Sequence, residues 1–368
     1  MRIALVTPYF PPEVGGIETY TYELARRLSR TDDVYVFTCG RGATETCDGL
    51  RVFRLRAIDM QNLPLSLKVP YPIPPSLTSK LVKVDLDIIH AHGHAFATSL
   101  QAALAARLTR KPFLITVHDI GTAYLDHRVM RGSRLILDST IVRYVFRRAD
   151  VVISQNEATY TYASKLRPKR IVTIPQAVDL TRFEPREEGE AVAFIAARLV
   201  PQKGGETFVR AVPKVVKAIG EVKFMVIGDG MQKSCLENLA GELGVADRIE
   251  FVGRIPHEKV PECLGEARIV VFPSEIPTGL ALLEAAAVRR AIITTRNVWA
   301  INSLGDTPFY ISARDPEGTA NAIIRLLSND EERSKIARLV YEKVADGSSW
   351  DSVASRHKEI YRQLVNEK

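Results

Sequence analysis

The most constraining feature of the sequence is a series of short apolar runs that alternate with amphipathic stretches. Nearly continuous apolar runs of this length are typical of parallel strands that are covered on both faces of a sheet. The series occurs twice, and its runs read IALVT, VYVFT, DIIHA, FLITV and VVISQ, then VAFIAA, KFMVIG, IEFVG, IVVFP and AIITT. The pattern predicts an α/β protein with two doubly wound parallel-sheet domains.

A polar segment punctuated by prolines separates the two series. It reads PQAVDLTRFEPREEGEA over residues 175–191, which is a linker composition. With 368 residues, 46% of them hydrophobic, the chain is long enough for two cores. We therefore predict an N-terminal domain over residues 1–178 and a C-terminal domain over 179–349, with a ligand cleft between them.

The positive charge of the chain, +7 overall, is concentrated in the first half. Residues 1–178 contain 24 Lys and Arg against 15 Asp and Glu, a net +9, whereas the remainder contains 26 against 28, a net −2. A basic first half suggests anionic partners such as phosphates, an acidic lipid surface or nucleic acid. An ordinary basic surface is the alternative interpretation.

Cysteine usage and hydropathy indicate the compartment. The cysteines, of which there are 4, show no metal-ligand spacing, which fits a reducing environment without structural zinc. Met1 leads directly into an apolar strand pattern rather than a secretory signal, and no apolar run approaches about 18 residues. We expect a cytoplasmic protein, with peripheral contact to the inner face of a membrane as an option.

The stretch Phe272–Thr295 carries the clearest chemistry, and it reads FPSEIPTGLALLEAAAVRRAIITT. Its pattern predicts a strand, a loop with Glu275, a helix that starts near Leu280 and carries Glu284, and a second strand. A helix N-terminus after a parallel strand offers N–H groups and a positive dipole end to an anion. The carboxylates can accept hydrogen bonds from the vicinal hydroxyls of a sugar or a ribose.

This stretch resembles the C-terminal signature of family 4 retaining glycosyltransferases of the GT-B fold, E-x-F-G-x-x-x-x-E-A-x-A-x-G-x-P. The matching residues are Gly279, Glu284, Ala285 and Ala287. The resemblance implies two Rossmann-like domains that face a cleft. It also implies that a last helix, here over residues 350–368, crosses back to complete the N-terminal domain.

The chain departs from the family signature at several positions. Glu275 stands one residue upstream of the first family glutamate, whose aligned position is Ile276. Three further departures are Thr278, Arg289 and Ala291, and residues 295–306 lack the usual Gly-Gly turn and glutamate. The departures affect the expected donor-sugar contact more than the fold.

Two cations follow the first apolar run of the second series. Arg198 offers a planar guanidinium with paired donors and Lys203 a compact charge, and together they suit a diphosphate. Two solvated surface cations would give the same sequence pattern. Their spacing, R-L-x-x-x-K-G, resembles the donor-phosphate motif of the family. The resemblance implies that both bind the donor diphosphate and stabilise charge on the leaving group.

The resemblance implies further donor contacts in glycine-containing turns and along the helix after Gly279. Glu284 would hold the ribose hydroxyls, Glu275 would position the donor sugar, and the segment at Arg254 would contact the base through backbone groups. The full expected set for donor binding is Gly15, Gly16, Arg198, Lys203, Gly228, Arg254, Gly279, Leu280, Leu283 and Glu284.

Histidines mark the carboxyl ends of two predicted strands. The run FLITVHD ends in His118-Asp119, and a polar pair at that position indicates a site. The resemblance implies that His118 hydrogen-bonds the donor sugar, with Asp119 orienting it or binding the acceptor. His90, His92 and His94 alternate along another strand, and we expect a structural or acceptor-cleft role rather than a metal site.

Two segments of the first half could contact a partner. Residues 127–148 interleave arginines with aliphatic residues, which predicts a helix packed on the sheet, a peripheral membrane surface or, last, a nucleic-acid surface. Residues 61–77 are rich in proline and apolar residues, and they either cap the core or contact a lipid or other acceptor.

The expected function is transfer of a sugar from a nucleoside diphosphate sugar to an acceptor hydroxyl on a glycan, a small molecule or a lipid. We expect retention of configuration by a front-face path, catalysed by His118, Glu275, Arg198 and Lys203, with no metal and no cofactor. The alternatives are a non-catalytic GT-B nucleotide-binding paralogue and a sugar-nucleotide epimerase. We expect no nucleic-acid partner.

Overall fold

A computed structural model describes residues 1–13, 15–58, 72–118, 138–347 and 349–367. The chain divides into two compact units, which we call unit 1 (Met1–Gln176 with Trp350–Lys368) and unit 2 (Ala177–Ser349). Each unit is an α/β domain around its own sheet.

The strands and helices alternate along the chain as the apolar runs predict. The strands are β1 (Arg2–Val6), β2 (Asp33–Gly40), β3 (Ala43–Cys47), β4 (Leu50–Arg56), β5 (Ile88–His92), β6 (Phe113–Thr116), β7 (Val151–Ser154), β8 (Ile171–Thr173), β9 (Ala191–Arg198), β10 (Phe224–Asp229), β11 (Ile249–Gly253), β12 (Ala267–Phe272), β13 (Ala291–Thr295) and β14 (Phe309–Ile311). The helices are α1 (Gly16–Leu28), α2 (Leu77–Lys83), α3 (Ala97–Thr109), α4 (Arg143–Arg148), α5 (Glu157–Lys165), α6 (Gly205–Ile219), α7 (Lys233–Glu242), α8 (Val260–Gly265), α9 (Leu280–Ala287), α10 (Val298–Leu304), α11 (Pro316–Ser328), α12 (Asp330–Ala345) and α13 (Trp350–Asn366).

Unit 1 contains an eight-stranded sheet in the order β3-β4-β2-β1-β5-β6-β7-β8. Its neighbouring strands are parallel except for β3 and β4, which form an antiparallel hairpin at the edge. The apolar runs do not reveal this hairpin, because β3 is almost entirely exposed. Its turn is formed by Asp48 and Gly49, both with positive φ, as the tight Asp-Gly hairpin turn requires.

Both faces of the unit 1 sheet are covered by helices. Ile89 and Ala91 of β5 share a buried core with residues of α2, α3 and α4. His90 and His92 alternate with them and therefore face the opposite side, where α1 and α13 pack together. This double coverage explains why the strands read as continuous apolar runs.

Buried polar and aromatic contacts attach the C-terminal helix α13 to unit 1. The imidazole of His90 bonds the Tyr361 hydroxyl through Nδ1 at 2.6 Å and the Thr116 hydroxyl through Nε2 at 2.8 Å. The ring of Tyr20 on α1 meets Trp350 edge-on, with centroids 5.2 Å apart. Because all of these side chains are buried, the contacts fix the helix in one register.

Unit 2 contains a six-stranded parallel sheet in the order β11-β10-β9-β12-β13-β14. The buried guanidinium of Arg290 donates to the carbonyls of Ala267, Arg186 and Glu187, which holds the start of the unit against the sheet. β9 and β12 are the central neighbours, so the loops at their carboxyl ends are adjacent. The candidate site of unit 2 lies at these loops.

No helix within the described part of the chain is long and apolar enough to cross a membrane.

We expect unit 1 to lose stability as the pH falls from about 6.5 to 4. Burial lowers the pKa of His357 on α13 to about 4, and it lowers the pKa values of His90 and His92 well below the usual range. These rings are neutral in the folded protein and take up protons on unfolding. Their contribution to the free energy of unfolding is therefore fully present above the unfolded pKa. Each such group lowers the free energy of unfolding by up to about 1.4 kcal/mol per pH unit below that pKa.

The measurement is urea unfolding followed by Trp350 fluorescence in a Trp299→Phe background, at pH values between 7.5 and 4.5, roughly spanning the range of histidine titration. His357→Gln removes one titrating group and should reduce the pH dependence. A pH dependence that is absent in the parent protein, or undiminished in the variant, would contradict the assignment.

Candidate active site

The loops that follow β9 and β12 touch at one edge of the unit 2 sheet. Gly204 has a φ of 81°, and a Cβ at this position would collide with the Pro273 carbonyl, so the approach requires glycine. The Gln202 carbonyl accepts hydrogen bonds from the Glu275 N–H at 2.9 Å and from the Ser274 hydroxyl at 3.1 Å. The two loops therefore form one surface.

The predicted phosphate-binding cations both lie on this surface. Arg198 is the last residue of β9 and is exposed, and Lys203 ends the short turn that follows. The Lys203 Nζ donates to the Pro277 carbonyl at 2.6 Å. Burial, together with the charge of Arg198, lowers the pKa of Lys203 to about 8. An anion bound here would favour the protonated amine.

Helix α9 begins beside Lys203. Gly279 precedes it with φ 67° and ψ −145°, a conformation that favours glycine, and it follows Pro277 by two residues. The first turn of α9 therefore presents backbone N–H groups near the cation. The side chains of Leu280 and Leu283 are buried, so these two predicted donor contacts could reach a ligand only through their backbone.

The two predicted carboxylates both have partners within unit 2. Glu284, buried on α9, accepts a hydrogen bond on Oε1 from His257 Nε2 at 2.7 Å. Glu275 forms an ion pair with Arg314, with Oε1 and Nε 2.7 Å apart. A sugar hydroxyl at Glu275 would therefore share the carboxylate with a guanidinium.

The turn after β10 lies next to Arg198. Gly228 has a φ of 132°, and a Cβ there would collide with the Ala196 carbonyl. The next residue, Asp229, lies opposite Arg198 in the register of β10 and β9. This places the predicted glycine turn beside Arg198, one of the two predicted phosphate-binding cations. Arg254, the predicted base-contacting position after β11, is exposed.

Asn297 caps a helix in the segment that departs from the family Gly-Gly turn. Its side chain accepts a hydrogen bond from the Ala300 N–H at 2.9 Å, and Trp299 in the first turn of α10 is buried. Residues 298–304 therefore form a packed helix at this position.

In unit 1, His118 follows β6 and is hydrogen-bonded through both ring nitrogens. Its Nε2 lies 3.3 Å from His92 Nδ1, and its Nδ1 lies 3.1 Å from Gln155 Nε2. Gln155 in turn accepts from the Gln176 amide at 2.7 Å. A donor sugar at His118 would have to replace one of these bonds, and the longer one is to His92.

The Gly15-Gly16 pair lies at the start of α1 in unit 1. Gly15 is extended and Gly16 opens the helix, with the Thr19 N–H donating to the Gly15 carbonyl. Asp119, residues 61–71 of the proline-rich segment and residues 127–137 of the basic segment lie outside the described residues. Residues 143–148 form α4, as the aliphatic spacing predicts.

Several polar residues of these surfaces were not singled out from the sequence. Gln155 directly follows β7, and His92, one of the alternating histidines of the sequence, ends β5. Both strands flank β6, so the adjacency of strand ends could have placed both residues beside His118. His257 and Arg314 meet their carboxylates across 27 and 39 residues of sequence, and no local pattern signals such contacts. In the described ranges, no group of three or more His, Cys, Asp or Glu could hold a metal ion.

Family models match most of the chain. The model described as Glycosyltransferase Family 4 matches residues 14–182, and the model described as Glycosyl transferases group 1 matches residues 190–329. Together the two models match the greater part of each unit.

Known proteins are similar along the whole length. One component of the phosphatidylinositol N-acetylglucosaminyltransferase of Arabidopsis thaliana is 26% identical over 99% of this chain and 82% of its own. A GDP-mannose-dependent alpha-(1-6)-phosphatidylinositol monomannoside mannosyltransferase of Mycolicibacterium smegmatis is 25% identical over 97% of each chain. The structure of sucrose-phosphate synthase from Thermosynechococcus elongatus superposes with a TM-score of 0.80 at 22% identity, covering 100% of both chains.

Two parallel-sheet α/β domains with such a structural neighbour define a protein of the GT-B fold, which confirms the predicted fold class. The chain belongs to glycosyltransferase family 4 within the group 1 glycosyl transferases, and it is a glycosyltransferase. The roles of the individual site residues stay predictions.

We expect affinity for a nucleoside diphosphate probe to fall above pH 8, because Lys203 then has to take up a proton to pair with the diphosphate. The dissociation constant should rise by up to about tenfold per pH unit. Calorimetric titrations with UDP, GDP and ADP between neutral and alkaline pH would measure this.

Lys203→Arg keeps a cation that does not titrate in this range and should abolish the rise. Lys217→Arg, at an exposed position of α6, is the matched control and should behave like the parent protein. Equal pH dependence in the parent and in Lys203→Arg would refute the role of Lys203.

Proposed function

We propose that the protein transfers a sugar from a nucleoside diphosphate sugar to a hydroxyl of a lipid-linked, inositol-containing acceptor, with retention of configuration and without a metal ion. The observation that carries the proposal is the convergence of Arg198, Lys203 and the start of α9 on one loop surface. Two cations and a helix N-terminus there match the charge and geometry of a diphosphate.

The catalytic contribution of this surface is electrostatic. As the bond between the anomeric carbon and the phosphate oxygen breaks, negative charge develops on the diphosphate, and Arg198 and Lys203 stabilise it. In a front-face path, the acceptor oxygen forms its new bond to the same face of the sugar, and its proton passes to the leaving phosphate. The two side-chain cations serve where other transferases use a divalent ion.

The carboxylates and His118 position the rest of the donor. Glu284 binds the ribose hydroxyls, because a buried carboxylate in a helix is a fixed acceptor for a diol. Glu275 and His118 position the donor sugar, each sharing its polar atoms with the protein partners described above. The backbone near Arg254 lies after β11 and contacts the base.

The names of the relatives support the acceptor class. One relative belongs to a phosphatidylinositol N-acetylglucosaminyltransferase, and another is a mannosyltransferase for phosphatidylinositol monomannoside. The second name also supports a nucleoside diphosphate sugar as the donor.

A surface of unit 1, which we call the basic helical face, supports contact with a membrane. α2, α3 and α4 pack side by side on the sheet, and their sequences contain no carboxylate. The solvent side combines exposed aliphatic side chains with cations, a combination that suits anionic headgroups. The exposed members are Val82, Leu104, Leu108, Lys83, Arg107, Arg110 and Arg147.

The first test is a thermal-shift screen with UDP, GDP, ADP and their sugar conjugates. At about 100 times its dissociation constant, a ligand should stabilise the protein by about 2.7 kcal/mol. We expect one nucleotide series to do so, and Lys203→Ala to lose the effect while the control Lys217→Ala keeps it. No shift with any nucleotide would refute the donor assignment.

The second step uses the conjugate that binds, with phosphatidylinositol vesicles or soluble inositol phosphate as acceptor, in the presence of a chelator. Proton NMR of the product reports the anomeric configuration, and we expect it to match that of the donor. Product formed only with a metal, or with inverted configuration, would contradict the proposed mechanism. Nucleotide binding without transfer to any acceptor would favour the non-catalytic alternative.

Charge reversal tests the membrane contact. Lys83→Glu, Arg107→Glu and Arg147→Glu together should weaken binding to phosphatidylcholine vesicles that contain phosphatidylserine by at least about 100-fold, at about 1 kcal/mol per cation. The matched control reverses Lys217, Lys223 and Lys335, which are exposed cations of unit 2. Sedimentation with vesicles measures the difference, and equal loss in both triple variants would exclude the basic helical face as the contact.

A further inference from the structure

Glu284 is a buried carboxylate that depends on one side chain from a different loop. The residue lies on α9 and its exposed fraction is 6%. Its Oε1 accepts a hydrogen bond from His257 Nε2 at 2.7 Å. His257 opens a short turn after Pro256, in the loop that follows β11. The contact therefore joins the loop after β11 to the helix at the phosphate-binding surface.

A second contact fixes the tautomer of His257. Arg182 donates through its guanidinium to His257 Nδ1 at 3.1 Å. A guanidinium has only donors, so Nδ1 is the acceptor and the ring proton resides on Nε2, where it faces Glu284. Arg182, His257 and Glu284 thus form a directed hydrogen-bonded chain.

The start of this chain is itself held in place. The N–H groups of Arg182 and Phe183 donate to the Asp179 carbonyl at 3.1 Å and 2.8 Å, which closes a turn. Phe183 is buried, and its ring packs against the imidazole of His257 with centroids 5.5 Å apart. The imidazole therefore has a fixed plane as well as a fixed tautomer.

We propose that His257 is a positioning residue for nucleoside recognition: it holds Oε1 of Glu284 so that Oε2 meets the ribose hydroxyls of the donor. The inference rests on the proposed function, in which Glu284 binds the ribose. A buried carboxylate needs a hydrogen-bond donor to satisfy and orient it, and His257 supplies that donor from within the protein. Arg182 acts through His257 by fixing its tautomer.

The test compares ribose recognition in the parent protein, His257→Leu and His257→Gln. Leucine removes the donor to Glu284, whereas glutamine keeps an N–H donor near the position of Nε2. UDP, GDP and ADP, each paired with its 2′,3′-dideoxy counterpart, are titrated by calorimetry. The ratio of the two dissociation constants reports the contribution of the ribose hydroxyls alone.

We expect the parent protein to bind the ribose form more tightly than the dideoxy form. In His257→Leu the ratio of the two dissociation constants should shrink by about tenfold, and in His257→Gln it should return most of the way to the parent value. In transfer assays, His257→Leu should raise KM for the donor more than it lowers kcat. A purely structural role would lower the thermal midpoint and weaken both nucleotides equally. Unchanged ribose preference in a folded His257→Leu would overturn the proposal.

Two further outcomes separate this inference from the proposed function. If no nucleotide binds the parent protein, both the function and the role of His257 are refuted. If nucleotides bind with ribose preference and the preference survives in His257→Leu, the function stands and the inference falls. Arg182→Leu provides a second variant should His257→Leu not fold, and it should reduce the ribose preference in the same direction.

Discussion

The close approach of Gly204 to the Pro273 carbonyl is the constraint on which the unit 2 site depends. With no Cβ and a positive φ at Gly204, the loops after β9 and β12 can lie in contact. Lys203 then reaches the Pro277 carbonyl, two residues before the glycine that starts α9. A cation from one βα junction and the N-terminus of a helix from the next are thereby directed at the same place, which neither loop could achieve alone.

The same topological rule organises both units. In a parallel sheet, the carboxyl ends of neighbouring strands share an edge, so polar residues that follow different strands become neighbours. The fold could be predicted because strands covered on both faces read as apolar runs, and the shared edge explains why Arg198 lies beside the glycine turn at Gly228 although they follow different strands. The edge hairpin of β3 and β4 was not predicted, because β3 is an exposed antiparallel strand and such a strand needs no apolar run.

Side-chain pairing is the part of the site that sequence reasoning could not supply. Glu284 and Glu275 could each be identified as ligand candidates, yet their partners His257 and Arg314 come from distant turns. His118 could be predicted at a strand end, but its bonds to His92 and Gln155 follow from the order of strands in the sheet. Motifs encode the position of a group along the chain, whereas its electrostatic environment depends on which segments the fold brings next to it.

The proposed diphosphate site of unit 2 and the basic helical face of unit 1 differ in how their positive charge is distributed. Unit 2 comes from the part of the chain whose net charge is slightly negative, and its proposed diphosphate site uses two cations at one edge of the sheet, where the burial of Lys203 strengthens the effect of its charge. Arg198 and Lys203 both lie in the second half, so they are not part of the positive excess of residues 1–178. Part of that excess lies on the exposed faces of α2, α3 and α4, where Lys83, Arg107 and Arg147 stand among aliphatic side chains such as Leu108, which is 69% exposed. A concentrated site suits a small multivalent anion, and a dispersed basic surface suits an extended anionic one, so the two partners that the charge pattern indicates are different in kind.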